Sequence, residues 1–335
     1  MSKIQQFEQN INKSGFQGQI IHDEDLKNHT TMQVGGSARL FVRPKDEQSL
    51  VLAVNLALEA NAEFFILGGG SNVVARDGTY DGIVISTEAL DFMEVLGDSL
   101  SSGEPEGSSK VDTVLVRCGA GVKTAGLVEF CDSKAMGGME TFAGLPGTVG
   151  GAAFMNARCY GTEVSNVLHS ARYIEFQKNP INSHNFVECK AKIYHNDSSG
   201  EDWSYKNSPF SRMNCVITEV TFKVKASDPS MADRIHAECE KYVEDRRQKG
   251  HFKAPSAGSV FKNDRNIGVP SGVLIDREGL KGLAVGGAQV APWHGNIIIN
   301  SGSATGTDIR MLVQQVQDRV RKATGFTLEP EIIFM

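Results

Sequence analysis

Glycine placement constrains this chain more than any other feature. Twenty of its 35 glycines lie between Gly35 and Gly161, a stretch of 127 residues. Average usage of ~7% would give about 23 in the whole chain. The excess has no triplet period and prolines number only 10, which excludes collagen and low-complexity linker. Glycine concentrated inside folded sequence signals positive φ or backbone brought close to something. The 335 residues, 40% hydrophobic and 22% charged, predict a soluble globular chain of two or three domains.

Charge and cysteine usage narrow the function classes. A net charge of −6 and a pI near 5.8 argue against a nucleic-acid partner, which selects a basic face. They leave room for an anionic small molecule held by a local basic cluster. The six cysteines are Cys118, Cys131, Cys159, Cys189, Cys215 and Cys239, no two closer than 13 residues. No CxxC pair exists for zinc or redox chemistry, and free, mostly buried thiols are expected. The first residues carry no apolar signal core, and no run of ~18 apolar residues predicts a membrane span. The expected location is the cytoplasm.

Periodicity gives an outline of elements. Residues 1–30 read as a polar arm. Arg39–Arg43 reads as a strand, Asp46–Asn61 as a helix with an apolar face, and Glu63–Leu67 and Ile83–Ser86 as short strands. Residues 97–113 read as a surface loop. A strand at Thr113–Arg117 and a helix near Thr124–Ser133 follow. Residues 171–224 read as strands around a polar insertion near 179–202, with Cys215–Val224 alternating most clearly. Met231–Lys249 reads as a charged helix and 250–300 as loops and short strands. Thr307–Ala323 has apolar residues at i, i+3, i+4, i+7 and i+11, with Thr307 or Asp308 as the cap and Gly325 as the stop. Leu328–Met335 reads as a closing strand.

Five segments carry candidate chemistry. Gly68-Gly69-Gly70-Ser71-Asn72 follows an apolar strand; it is either a flexible turn or a set of converging amides for a phosphate, with Ser71 and Asn72 as side-chain donors. The segment Gly144-Leu145-Pro146-Gly147-Thr148-Val149-Gly150-Gly151 offers a second such set, and two loops suit a dinucleotide with two phosphates. Neither matches a P-loop. The pair Gly119 and Gly121 is followed by glycine only at Gly126, too late for a Rossmann fingerprint. Arg246, Arg247, Lys249 and Lys253 end the charged helix; they complement its macrodipole or bind an anion. Ser259 lies among small residues, with no serine-hydrolase arrangement around it. Glu331 sits beside Ile332 and Ile333, either as edge decoration or as a part-buried carboxylate useful in acid–base work. The eight histidines show no metal-ligand spacing, so no metal is expected.

Taken in order, these segments resemble the UDP-N-acetylenolpyruvoylglucosamine reductase (MurB) family. The resemblance also uses Asn28-His29-Thr30-Thr31, Val34-Gly35-Gly36, Met155-Asn156-Ala157, Tyr160-Gly161, Tyr205, Ser208, Ser256–Asn263, Gly286–Val290 and Leu328–Glu331. It implies an α+β fold, with a two-part FAD-binding domain of the p-cresol methylhydroxylase/vanillyl-alcohol oxidase (PCMH/VAO) type and a C-terminal α+β substrate domain. The implied parts are 1–90 completed by 327–335, then 91–225, then 226–326 for the UDP-sugar. The implied cofactor is non-covalent FAD, held by Gly68–Asn72 and by Gly144, Gly147, Thr148, Gly150 and Gly151, with NADPH as reductant. The implied reaction delivers a hydride to C3 of the enolpyruvyl ether and a proton to C2, giving UDP-N-acetylmuramate. By matching motif, Ser259 is the proton donor and Glu331 the carboxylate beside the enolate. Tyr205, Lys249, Asn263, Gln289 and Asn296 match substrate-binding positions. A monomer is expected.

Two departures stand out. The family usually carries arginine after the motif tyrosine; here Lys206 follows Tyr205, keeping the charge but losing the planar fork. By that match Lys206 is the candidate for the third catalytic role. Arg158-Cys159 occupies positions where the family commonly has small residues. The segment between Lys206 and Ser259 is too short for the substrate-covering loop of type I members, so the chain reads as type II-like. An oxidase of the same flavin superfamily and a non-catalytic nucleotide-sugar binder are the competing readings.

Overall fold

The computed structural model describes residues 2–96, 113–176, 189–196, 202–226, 229–264 and 267–335. The expected loop at 97–113 lies outside them but for Thr113. The expected insertion near 179–202 is described only over 189–196 and at Asp202.

The fold is α+β. In chain order it runs α1 (Lys3–Ile11), β1 (Gly18–Asp25), β2 (Ser37–Pro44), α2 (Glu47–Glu59), β3 (Phe64–Leu67), β4 (Val73–Val74), β5 (Tyr80–Ser86), β6 (Met93–Leu96), β7 (Thr113–Gly119), α3 (Thr124–Ser133), α4 (Val149–Phe154), β8 (Arg158–Cys159), β9 (Thr162–Glu163), α5 (Val164–Val167), β10 (Leu168–Glu175), β11 (Lys190–His195), β12 (Cys215–Lys225), α6 (Ala232–Gln248), β13 (Ser256–Ser259), α7 (Ser271–Arg277), β14 (Ala284–Val285), β15 (Ala288–Val290), β16 (Ile297–Asn300), α8 (Gly306–Thr324) and β17 (Ile333–Phe334). One four-stranded sheet has the order β1-β2-β5-β3.

The chain divides into two compact units. The first comprises Met1–Ile20, Val42–Gly68 and Ile85–Glu244; the second comprises Ile21–Phe41, Gly69–Val84 and Asp245–Met335. The divisions fall inside β1, β2, β5 and α6 and in the loop between β3 and β4.

The first unit contains an antiparallel sheet of order β11-β10-β12-β7-β6. Its middle strand, β12, is buried at nearly every residue, because it has strands on both edges and α4 against it. The one-sided alternation expected there is therefore absent. The core of this unit gathers Phe142, Phe210, Phe222, Val149 and Leu127. Cys118, Cys131, Cys159, Cys189, Cys215 and Cys239 are all free and buried. Burial pushes the thiols of Cys118, Cys131, Cys215 and Cys239 up to about 12, so they remain protonated and inert at neutral pH.

The second unit contains the antiparallel sheet β13-β16-β15-β14 and the parallel pair of β17 with β4. Helix α8 covers its core with Ile309, Leu312, Val313, Val316 and Val320. Each such side chain contributes about 1.5–3 kcal/mol relative to exposure. Gly325 ends α8 in the left-handed conformation, φ 78°, as expected. The cap is Thr305, not Thr307 or Asp308. Its side chain accepts from the Asp308 amide while Asp308 returns the bond, a capping box.

Two expected segments are corrected. Residues 1–30 are not an arm: Ser2 caps α1 with a capping box, and Phe7 and Ile11 are fully buried. Residues 250–300 are not all loop and strand, since α7 lies within them. The Gly144–Gly151 segment runs into helix, its last residues forming the first turn of α4, capped by Thr148. Among the described residues, no helix is long and apolar enough to cross a membrane.

Candidate active site

In the first unit the two glycine segments approach each other. A Cβ built on Gly68 would lie 2.9 Å from Thr148 Oγ1. Only glycine lets the loop after β3 run this close to the cap of α4. Not every amide here is available to a ligand. Val149 N donates to Val122 O at 2.9 Å and Gly150 N to Ala120 O at 3.0 Å, and Gly151 N is held by Thr148 Oγ1 at 3.5 Å. The amides of Gly68, Gly144, Gly147 and Thr148 make no hydrogen bond to the described residues. Unpaired N–H groups on a backbone that is mostly glycine fit a pyrophosphate, so these residues fit FAD. Val149–Gly151 contribute helix packing rather than donors.

The same unit presents Tyr205 and Lys206 on a tight turn. Ser204 N donates to Asn207 O at 3.1 Å and Asn207 N to Ser204 O at 2.9 Å, so Tyr205-Lys206 forms its tip. Lys206 takes φ +57°, a conformation that costs a non-glycine residue energy and persists only where the surroundings enforce it. Asn156 and Ser208 supply that enforcement, and both are fully buried. Asn156 Nδ2 donates to Ser204 O at 3.0 Å, and Ser208 Oγ donates to Phe154 O at 2.6 Å. The Arg158 guanidinium lies over the Tyr205 ring, 5.8 Å from its centroid.

In the second unit one hydrogen-bonded frame joins the first glycine loop, Ser259 and Glu331. Thr31 N donates to Gly70 O at 3.2 Å, and Ser256 N donates to Thr31 O at 3.1 Å. Thr31 Oγ1 donates to Ser256 O at 2.7 Å. Only glycine at position 70, with φ +61°, permits this approach, because a Cβ there would fall 2.0 Å from His29 O. Strand β13 then bulges through Gly258, φ +71°, and delivers Ser259. Glu331 N donates to Val260 O at 2.7 Å, which seats Glu331 one residue from direct pairing with Ser259. Asn72 Nδ2 donates to Glu331 O at 2.9 Å, so part of this predicted phosphate donor holds backbone instead. Gly69 N and Gly70 N make no hydrogen bond to the described residues. The Ser259 hydroxyl makes none either, and Ser259 and Glu331 are both half-buried.

Other predicted substrate residues prove more structural than their motifs suggest. Asn296 is buried; its Oδ1 accepts from Phe261 N at 2.9 Å and its Nδ2 donates to Phe261 O at 2.8 Å. Asn263 Oδ1 accepts from Ser271 N at 2.9 Å, at the start of α7. Gln289 Nε2 donates to Gly282 O at 3.2 Å. Lys249 is exposed at the end of α6, its Nζ 2.6 Å from Asp245 Oδ2. Gly250, φ +81°, stops that helix under Trp293, whose Nε1 donates to Gly250 O at 3.1 Å. A groove of about 880 Å³ in this unit is lined by Lys27, Thr30, Gln33, Lys253 and Asn300. The Thr30 hydroxyl within it is buried and has no hydrogen-bond partner among the described residues. Composition and spacing do not mark Asn156 or this groove as site features: their roles depend on which backbone groups the fold leaves unpaired.

Similarity to known proteins runs along most of the chain. Residues 38–177 match the family described as FAD binding domain. Residues 250–335 match the family described as UDP-N-acetylenolpyruvoylglucosamine reductase, C-terminal domain. The UDP-N-acetylenolpyruvoylglucosamine reductase of Treponema denticola is 41% identical over 325 residues, covering 95% of this chain and 94% of that protein. The enzyme of the same name from Treponema pallidum is 36% identical, over 92% of this chain and 91% of that protein. The crystal structure of UDP-N-acetylenolpyruvylglucosamine reductase (MurB) from Thermus caldophilus superposes with a TM-score of 0.69 at 26% identity, covering 95% of this chain and 99% of that one. The chain belongs to the UDP-N-acetylenolpyruvoylglucosamine reductase family.

Proposed function

We propose that this chain reduces the enolpyruvyl ether of UDP-N-acetylglucosamine to UDP-N-acetylmuramate, an intermediate of peptidoglycan precursor synthesis. The observation that supports the reading is the backbone frame in which Glu331 N donates to Val260 O, the residue next to Ser259, whose hydroxyl makes no hydrogen bond among the described residues. FAD, bound non-covalently, supplies hydride transfer from NADPH to C3 of the enolpyruvyl group. The unpaired amides of Gly68, Gly69, Gly70, Gly144, Gly147 and Thr148 bind its phosphates; Ser71 and Asn72 flank them, and Gly150 and Gly151 keep the α4 start uncovered.

Ser259 gives its proton to C2. A hydroxyl is a poor acid in water, but the carbanion at C2 is a strong base and β13 holds the hydroxyl in place. Lys206 stabilises the developing enolate by its charge, and Glu331 is the carboxylate beside it. Tyr205, Lys249, Asn263 and Gln289 bind the substrate, and Asn296 serves it by bracketing Phe261 and so fixing the Ser259 strand. Residues 1–90 with 327–335 and residues 91–225 hold FAD, while 226–326 hold the UDP-sugar. The enzyme works as a cytoplasmic monomer, without a nucleic-acid partner.

The test is Ser259→Ala. Reduction of the flavin by NADPH stays near wild type, while turnover of the enolpyruvyl ether falls by about 10²–10⁴-fold. Equal loss in both half-reactions overturns the proton-donor role. A colourless protein that FAD does not reconstitute overturns the whole reading.

A further inference from the structure

Two departures from the family's pattern meet at one aromatic ring. Lys206 follows Tyr205 in the chain, and the Arg158 guanidinium lies over the Tyr205 ring at 5.8 Å. Arg158 stands on β8, which pairs with β9 through Arg158 and Glu163. Its Nε is 3.7 Å from Glu163 Oε1 and its side chain is 34% exposed. That separation is an ion pair but not a hydrogen bond. Glu163 is also engaged by Asn156 Nδ2, at 2.9 Å to its other oxygen. Among the described residues the Arg158 guanidinium therefore makes no hydrogen bond. A planar group with five N–H donors in a fixed fork, held by one ion pair and one ring contact, thus has its hydrogen-bonding capacity unspent beside the turn that carries Lys206.

We propose that Arg158 binds the carboxylate of the enolpyruvyl substrate, supplying from β8 the bidentate fork that Lys206 lacks. The inference rests on the functional reading above. Lysine offers a point charge; guanidinium offers two parallel N–H bonds matched to a carboxylate. The Glu163 ion pair and the Tyr205 ring keep the guanidinium near the turn before substrate arrives, and Asn156 ties β9 to the Tyr205-Lys206 turn through Glu163 Oε2 and Ser204 O. The two cations thus have separate roles. Arg158 orients the carboxylate, and Lys206 meets the negative charge that develops next to it.

The experiment measures binding of two nucleotides to the FAD-loaded, oxidised protein by calorimetry. UDP-N-acetylmuramate carries the carboxylate; UDP-N-acetylglucosamine has the same sugar and diphosphate without it. Arg158→Ala is expected to weaken UDP-N-acetylmuramate about 10-fold or more, the scale of a charge-assisted bidentate contact, and to leave UDP-N-acetylglucosamine unchanged. Adding Lys206→Arg to Arg158→Ala is expected to recover most of the loss, whereas Arg158→Lys recovers little. Equal weakening of both nucleotides, no weakening of either, or failure of Lys206→Arg to rescue overturns the assignment. A wild-type protein that binds FAD but neither nucleotide instead overturns the functional reading on which it rests.

Discussion

The Asn156 side chain has three partners in two separate stretches of chain. Its Nδ2 donates to Glu163 Oε2 at 2.9 Å and Ser204 O at 3.0 Å, and its Oδ1 accepts from Ser165 N at 3.1 Å. It sits at φ +42°, in the left-handed region that asparagine tolerates better than most residues. One buried amide thus sets both its own backbone and the turn carrying Lys206. His251 shows a different residue-scale effect. Burial first, and the Arg246 charge second, push its imidazole down from 6.5 to about 4. Between those values the unfolded chain binds a proton that the folded chain refuses. The stability is therefore fully present above pH 6.5 and is lost as pH falls toward 4. Discounted for the partial exposure of the ring, the loss is about 1–2 kcal/mol. Urea denaturation at pH 7.5 and at pH 4.5 checks it: the drop is expected to shrink in His251→Asn, and an unchanged drop contradicts the assignment.

At the scale of elements, α8 depends on more than its own cap. Asp77 Oδ1 accepts from Gly306 N at 2.7 Å, and Asp77 Oδ2 accepts from Thr307 N at 2.8 Å and Thr307 Oγ1 at 2.6 Å. Burial acts to raise the Asp77 pKa, but these hydrogen bonds prevail and hold it below its ordinary value. Asp77→Ala is expected to cost about 1–2 kcal/mol of stability, since it removes both an amide acceptor and a negative charge at the helix start. A urea midpoint equal to wild type would rule this out. The periodicity of α8 is strong enough to read from sequence to within a residue, whereas Asp77, 229 residues before Gly306, carries no local sign of its role. Short elements are the least legible. Helix α1 hides its two buried residues, Phe7 and Ile11, in polar sequence, and α7 is seven residues long with Pro270 in place of a capping side chain. The site divides the same way. Motif order is enough to mark Ser259, Glu331 and the glycine loops as candidates. It does not reveal that Asn72, Asn263 and Asn296 engage backbone, because sequence does not say which amides and carbonyls the fold leaves to be paired.

At the scale of the whole molecule, cofactor binding and folding are one equilibrium. The first unit builds two stretches of glycine backbone around Gly68 and Thr148 and leaves their amides without partners among the described residues. Those groups are satisfied by water or by a ligand, and a ligand that fits only the folded arrangement draws the chain toward it. At 100 times its Kd, FAD is expected to stabilise the protein by about 2.7 kcal/mol. For a protein of this size that raises the melting temperature by about 4 °C. The glycine loops make the effect specific. In Gly68→Val the new side chain starts where a Cβ already lies 2.9 Å from Thr148 Oγ1, so the loop must shift and its amides lose their aim. That variant is expected to melt near the FAD-free wild type and to gain little when FAD is added. Stripping FAD, then recording melting curves with and without the added cofactor, separates the outcomes. A wild type indifferent to FAD would mean that the unpaired amides serve some other ligand, and a Gly68→Val protein with the full FAD response would mean that the first glycine loop is not part of the phosphate site.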